Sequence, residues 1–240
     1  MKYHFWKGLK FDISNPDVYP PKPATLFFAE IARKTVKPGS SVLEMGGGSG
    51  AIAIAVARFV KKTTVVASDI NPHATKVTQI NAKINRAKVT AITSDFFKRM
   101  RTRKFDVIIV HPPAIPYPKG KTWGMSRGMT IATNGGPDGS ALVVRSIIES
   151  VKHLKSNGTL LLGLPHWSNT GKAYQVLFEH FSNIKKLGQK EIRFFPVMEG
   201  KPSTTVLRHA KKLAGNGIIE LWGKNNKLYS RVSVIEAKKF

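Results

Sequence analysis

Apolar and polar residues along this chain fall into short β-branched runs that alternate with longer stretches of helical spacing. Ala24 to Arg33 predicts a helix, entered from the stiff Tyr19-Pro20-Pro21-Lys22-Pro23 segment. Ser41 to Met45 reads as a buried strand, and Ala51 to Lys62 as a helix rich in Ala and Ile. Thr63 to Ser68 is a second β-branched run, ending at Asp69, and Pro72 stands where proline prefers to open a helix, here one reaching Arg86. Val89 to Thr93 predicts a third strand, and Phe105 to Val110 a fourth that Pro112-Pro113 stops. From Asp138 to Lys155 the apolar stripe Leu142, Val143, Ile147, Ile148, Val151, Leu154 predicts a helix. Gly158 to Leu164 is a fifth strand, and Gly171 to Phe181 a further helix.

Strands alternating with helices predict an α/β fold, with a parallel sheet covered on both faces. The tail differs. Ile218 to Trp222, the turn Gly223-Lys-Asn-Asn226 and the alternating run from Lys227 to Ala237 predict an antiparallel hairpin that closes the sheet edge. No repeat, low-complexity stretch or linker divides the chain, so residues 24–240 are expected to form one domain behind an N-terminal segment, 1–23.

Of 240 residues, 42% are apolar, enough for a sizeable core. The absence of cysteine excludes disulfides, thiolate zinc sites, iron–sulfur clusters and a Cys nucleophile. Histidines 4, 73, 111, 153, 166, 180 and 209 show no metal-ligand spacing, so no metal is expected. The opening MKYHFWKGLKFD carries no apolar signal-peptide core, and AIAIAVARFV is broken by Arg58. A cytoplasmic protein without membrane contact is the expectation. A net charge of +25 attracts polyanions, whether nucleic acid, anionic lipid or an acidic protein surface. A solvated basic surface accounts for the charge equally well.

The candidate chemistry lies at the strand ends. Glu44-Met-Gly46-Gly-Gly48-Ser-Gly50 occupies a strand-to-helix turn, where glycine lets the main chain approach a ligand. Gly46, Gly48 and Ala51 also satisfy a dinucleotide fingerprint. Only 14 acids occur, yet Glu44, Asp69 and Asp95 follow or end the first three strands, at spacings of 25 and 26 residues. In an open parallel sheet those ends line the ligand crevice. Asp69 is placed to accept from ribose hydroxyls, Asp95 from an adenine amino group, and Glu44 to hold a cationic end. Helix capping is the plainer account, strongest for Asp95. After the fourth strand, His111-Pro112-Pro113-Ala114 leaves main-chain carbonyls free to accept, because proline has no N–H. A strand terminator beside a core histidine is the alternative.

Together these residues resemble the class I S-adenosylmethionine-dependent methyltransferases. The narrower resemblance is to the HemK/PrmC group and its short archaeal and eukaryotic members, which modify release-factor glutamine. Glu44 to Gly50 matches the cofactor loop, Ser68-Asp69-Ile70-Asn71-Pro72 the acidic segment, and Ser94-Asp95-Phe96 the adenine-contacting segment. Asp17-Val18-Tyr19-x-Pro21, followed by Thr25, resembles the stretch lying over the cofactor, and Gly135-Gly136-x-x-Gly139 the opening of the next helix. The resemblance implies a Rossmann-like, mostly parallel seven-stranded sheet with residues 1–23 covering the cofactor site. It implies S-adenosylmethionine bound by Tyr19, Thr25, Glu44, Gly46, Gly48, Asp69, Ile70, Asp95 and Phe96, and catalysis by His111, Pro112 and Pro113. The group normally carries Asn-Pro-Pro-Tyr where this chain has His-Pro-Pro-Ala. Imidazole cannot offer a donor and an acceptor from one edge as an amide does, and Ala114 removes an aromatic wall that Tyr117 could replace.

The expected reaction is methyl transfer to a nitrogen or oxygen acceptor, first of all a protein glutamine amide. RNA, a small molecule, or cofactor binding without catalysis are the alternatives, with a nicotinamide dehydrogenase behind them. Ala114, Tyr117 and Trp123 are the expected acceptor contacts. Lys119, Lys121 and Arg127 follow the fourth strand at the mouth, whereas Lys98, Arg99, Arg101, Arg103 and Lys104 lead into it from the far end. Basic residues interleaved with aromatics suit a nucleobase or an RNA-bearing particle. The expected partners are therefore a protein substrate or RNA, with an activating partner left open.

Overall fold

The computed structural model describes residues 1–119, 125–194, 197–198 and 201–240, with the side chains of 197–198 and 201–202 left aside. The chain opens with a hairpin, β1 (Tyr3–Trp6) and β2 (Leu9–Asp12), turned by Lys7 and Gly8 in the left-handed region. Then come α1 (Pro23–Thr35), β3 (Ser41–Met45), α2 (Ala51–Phe59), β4 (Thr64–Asp69), α3 (Pro72–Ile84), β5 (Val89–Thr93) and β6 (Phe105–Val110). Next are α4 (Arg127–Thr133), α5 (Ala141–His153), β7 (Leu154–Pro165), α6 (Thr170–His180) and β8 (Phe181–Arg193). Two-residue strands β9 (Val197–Met198) and β10 (Lys201–Pro202) precede α7 (Thr204–Gly215), β11 (Trp222–Lys224) and β12 (Lys227–Lys239).

The main sheet runs β11-β12-β7-β6-β3-β4-β5, with β8 also paired to β12. Pairs from β5 to β7 are parallel, while β12 runs antiparallel to both β7 and β8. Strand alternation sorts the core. Val42, Val107, Ile109, Leu161 and Val234 pack with α1 and α2 in one cluster, while Leu43, Ile108, Leu160, Leu162 and Ile235 pack with α5 and α6 in the other. Strands buried on both faces explain the continuous apolar runs of the sequence. Among the described residues no helix is long and apolar enough to cross a membrane.

The antiparallel C-terminal hairpin is present as β11 and β12, its first strand starting at Trp222 rather than Ile218, but it does not close the sheet. Strand β12 is inserted between β7 and β8, and β8, where the sequence pattern shows no strand, lies outside it. Irregularities in that pairing put Phe181, Ile184 and Leu187 three residues apart while Phe181 and Ile184 face one core cluster and Leu187 the other. The period of two that marks a strand is thereby erased. Further in, strand order reverses between β3 and β6, so Met45 and Val110 end side by side at the switch point, where crevices open in such sheets.

Candidate active site at the switch point

The turn after β3 requires its glycines. Gly46, Gly48 and Gly50 all have φ in the left-handed region, at 73°, 54° and 78°. The loop is pinned to the end of β4: the N–H groups of Gly46 and Gly47 donate to the Ser68 carbonyl (2.8 and 3.0 Å), and that of Gly48 to Asp69 Oδ2 (2.9 Å). The Thr78 hydroxyl of α3 donates to the Gly48 carbonyl at 3.1 Å.

Two carboxyls flank this loop, Glu44 buried and Asp69 partly exposed. Glu44 is 3% exposed and accepts through Oε2 from the Ala53 N–H in the first turn of α2, at 2.8 Å. Burial pushes its carboxyl up to about 8, against the hydrogen bond from Ala53 and with help from the Asp69 charge. Asp69 Oδ1 accepts from the Asn71 N–H at 2.9 Å, so both of its oxygens are tied to backbone donors. Burial raises Asp69 as well, although the N–H groups of Asn71, Gly48 and Ile70 oppose it.

Asp95 is different. It follows β5 beside Asp69, whose carbonyl accepts from the Ser94 N–H at 2.8 Å, but it faces two cations. Lys98 lies at 2.6 Å and Arg145 of α5 at 3.4 Å, and the Lys98 hydrogen bond leads in lowering its pKa. The Arg145 guanidinium also rests on the Phe96 ring, 3.8 Å from its centroid. Ile70, beyond β4, stays half-exposed.

The N-terminal segment crosses the loop. A Cβ on Gly48 would lie 3.6 Å from the Tyr19 carbonyl, Asn71 Nδ2 donates to the Asp17 carbonyl at 2.9 Å, and Gly128 of α4 packs directly on Asp17. Burial pushes the Tyr19 phenol up to about 12, with a smaller contribution from Tyr117. Thr25 lies in the first turn of α1, where its hydroxyl accepts from the Lys22 N–H at 3.4 Å. The preceding hairpin is held by α3: Asn85 Oδ1 and Nδ2 bond the N–H and carbonyl of Lys10, both at 2.8 Å, and Asn81 does the same for Asp12 while donating to the Ser49 carbonyl.

At the end of β6, His111 sits edge-on to Phe28 (5.8 Å, 83°) and makes no hydrogen bond among the described residues. Burial alone lowers its pKa to about 4, so the ring is neutral at pH 7. Gly163 of β7 gives it room, since a Cβ there would come within 2.7 Å of His111 Cδ2. Ala114 is 3% exposed within the apolar cluster beside α5, and its main chain presses on two glycines. A Cβ on Gly135 would stand 2.5 Å from Ala114 Cα, and one on Gly139 2.4 Å from the Ala114 carbonyl oxygen. The Gly135-Gly136-x-x-Gly139 pattern is thus the seat of the chain leaving His111-Pro112-Pro113. Tyr117 is also buried, its hydroxyl 3.2 Å from Thr133 Oγ1 and its ring against Val206 of α7. Trp123 and Lys121 lie outside the described residues. The sequence reading missed Arg145 on Phe96, the Asn81/Asn85 clamp, and α7, which packs against Ile115 and Trp167.

Residues 22–122 match the methyltransferase small domain. The chain is 33% identical over 184 residues to a putative protein N5-glutamine methyltransferase of Methanocaldococcus jannaschii, covering 77% of this chain and 86% of that one. It is 32% identical to a release factor glutamine methyltransferase of Lactococcus lactis and 30% identical to a ribosomal protein uL3 glutamine methyltransferase of Francisella tularensis. Those matches cover 66% and 68% of this chain but only 59% and 54% of the longer bacterial proteins. In three dimensions it is similar to the Thermus thermophilus 16S rRNA methyltransferase RsmC (TM-score 0.60, 17% identity, 100% of this chain and 50% of that one) and a Methanocaldococcus jannaschii tRNA m1G37 methyltransferase (0.59, 16%, 99% and 56%). At such identity the likeness shows the fold.

Fold and site together define a class I methyltransferase that uses S-adenosylmethionine. Within that class the chain belongs to the HemK/PrmC-like family of the protein N5-glutamine methyltransferases.

Proposed function

We propose that the protein transfers a methyl group from S-adenosylmethionine to the side-chain amide nitrogen of a protein glutamine, in the crevice between the glycine loop and His111-Pro112-Pro113. One observation carries this reading. The carbonyls of Pro112 and Pro113, beside the glycine loop across the β3/β6 pair, accept no hydrogen bond from the described residues. They are acceptors available for the N–H bonds of an amide, and the archaeal relative is itself named a putative glutamine methyltransferase.

The residues suit the cofactor. A Cβ on Gly46 would meet open space, and a buried Glu44 next to a partly exposed Asp69 in a +25 molecule suits a ligand with an ammonium and a sulfonium. Gly46, Gly48 and Glu44 would hold its amino-acid end, Asp69 and Ile70 its ribose, and Asp95 and Phe96 its adenine, beneath Tyr19 and the start of α1 at Thr25. When bound, S-adenosylmethionine supplies an activated methyl group. The chain's part is to hold the acceptor nitrogen in line with that methyl, so that as the N–C bond forms the methyl leaves the sulfur, which remains as the neutral thioether, and the nitrogen loses one proton to solvent. The Pro112 carbonyl would take one acceptor N–H and turn the nitrogen lone pair toward the crevice. His111, neutral because burial disfavours its cation, would accept a second hydrogen bond and place no positive charge beside the sulfonium. Residues 1–23 would act as hairpin and cover, and residues 24–240 as one catalytic domain, working in the cytoplasm on a component of translation.

The test is incorporation of labelled methyl into a purified glutamine-bearing protein substrate, against the same substrate with glutamate at that position and against RNA. Labelling that needs the glutamine and falls at least tenfold in His111→Ala is the expected result. Labelling of RNA alone would instead support the reading that the +25 charge favours, and activity undiminished in His111→Ala would remove the histidine from the mechanism.

A further inference from the structure

Helix α7 and the turn between β11 and β12 have no part in the reading above, although they stand next to its acceptor segment. Val206 and Ala210 are fully buried, Val206 against Tyr117. Leu207 and Leu213 share an apolar cluster with Ile115, Trp167 and Leu228, and His209 Nε2 lies 2.6 Å from the Pro137 carbonyl. Ile115 follows Ala114 directly, so α7 walls the chain just beyond His111-Pro112-Pro113. Leu228 ties the β11–β12 turn to the same helix.

The outward face of this element is uniform in charge. Arg208, Lys211 and Lys212 are exposed along α7, and Lys224 and Lys227 at the turn, none with an ion-pair partner among the described residues. The one acid between Thr204 and Lys227 is Glu220, and it is already engaged by His166 and Arg231. Lys212 complements the carbonyl end of α7; the remaining cations have no such local role.

We propose that this face binds RNA through its phosphate backbone and docks the RNA of a ribonucleoprotein that presents the methyl acceptor. The inference rests on the acceptor entering beside Pro112 and Pro113. Phosphate is favoured over an acidic protein by what the face lacks. Protein interfaces are anchored by apolar and aromatic side chains and are poor in lysine, whereas the exposed residues of α7 are Thr204, Arg208, Lys211, Lys212 and Gly215. Its large apolar residues all point inward. Lysine and arginine on a rigid helix are what backbone positioning needs.

The test compares the intact protein with the triple variant Arg208→Gln, Lys211→Gln, Lys212→Gln, and with Lys224→Gln, Lys227→Gln in case the first folds poorly. The probe is a labelled RNA stem-loop, titrated at several salt concentrations, with polyglutamate as a competing polyanion. At low salt the triple variant should bind RNA at least tenfold more weakly. The slope of log affinity against log salt should become shallower by about 2 to 3, as expected for three lost phosphate contacts. S-adenosylmethionine binding should be unchanged in both variants. Unchanged RNA affinity and slope, or polyglutamate displacing RNA at equal charge, would overturn the proposal. Loss of cofactor binding by the intact protein would instead count against the methyltransferase reading, so the two failures are distinguishable.

Discussion

Glu44, buried, and Asp69, partly exposed, stand near the ends of the paired strands β3 and β4 in a chain of net charge +25. Burial holds the Glu44 carboxyl near 8, so the ligand-free protein keeps it protonated at pH 7. A cationic ligand favours the carboxylate, and binding S-adenosylmethionine should therefore release close to one proton at pH 7. Calorimetry in buffers of different ionisation enthalpy would measure it, and no buffer dependence would refute the coupling. The linkage also has a stability sign. Because the folded pKa lies above the ordinary 4.5, the Glu44 contribution is fully present below pH 4.5 and is lost as pH rises toward about 8. Glu44→Gln should thus gain in relative stability across that window. At this scale the sequence was informative about the glycine loop, Asp69 and the proline pair, whose residue types announce their geometry. It singled out Asp95 but not the cations that engage it. That carboxylate is drawn to Lys98 and Arg145, and Arg145 comes from a helix about 50 residues further along.

Elements were legible where period and punctuation agreed, as in β3, β4, α3 and β6. They were not where tertiary context set the conformation. Irregular pairing in β8 hides its alternation, and α7 reads by its cations unless its Val206, Ala210 and Leu213 stripe is singled out. The N-terminal hairpin is a third case, because what holds it lies on α3. Asn81 and Asn85 are one helical turn apart and meet alternate residues of β2, each closing on both the N–H and the carbonyl of one residue. Their side-chain amides stand in for a neighbouring strand. Replacing Asn85 with Ala would leave the Lys10 pair without a partner and destabilise the hairpin by about 1–3 kcal/mol. Hydrogen exchange at the Lys10 amide should quicken accordingly, while the β3 and β6 amides keep their protection. Equal quickening throughout would mean that the clamp serves global rather than local stability.

Across the whole molecule, opposite electrostatics are kept apart. Glu44 and Asp69 stand beside the switch point at the ends of β3 and β4, and exposed cations line the α7 face beside the acceptor segment. A small cationic ligand and a large anionic carrier can then meet at one place without competing for the same charges. Strand spacing pointed to Glu44 and Asp69 near neighbouring strand ends; the α7 cations beside the acceptor segment needed the fold. Every role proposed for the site depends on S-adenosylmethionine binding at these strand ends through Asp69. Calorimetric titration of the intact protein and of Asp69→Ala with S-adenosylmethionine, and with NADH as control, tests it most directly. Binding of S-adenosylmethionine but not NADH, weakened at least tenfold (about 1.4 kcal/mol) by the substitution, is the predicted result. Unchanged affinity in Asp69→Ala, or NADH bound as well as S-adenosylmethionine, would contradict it.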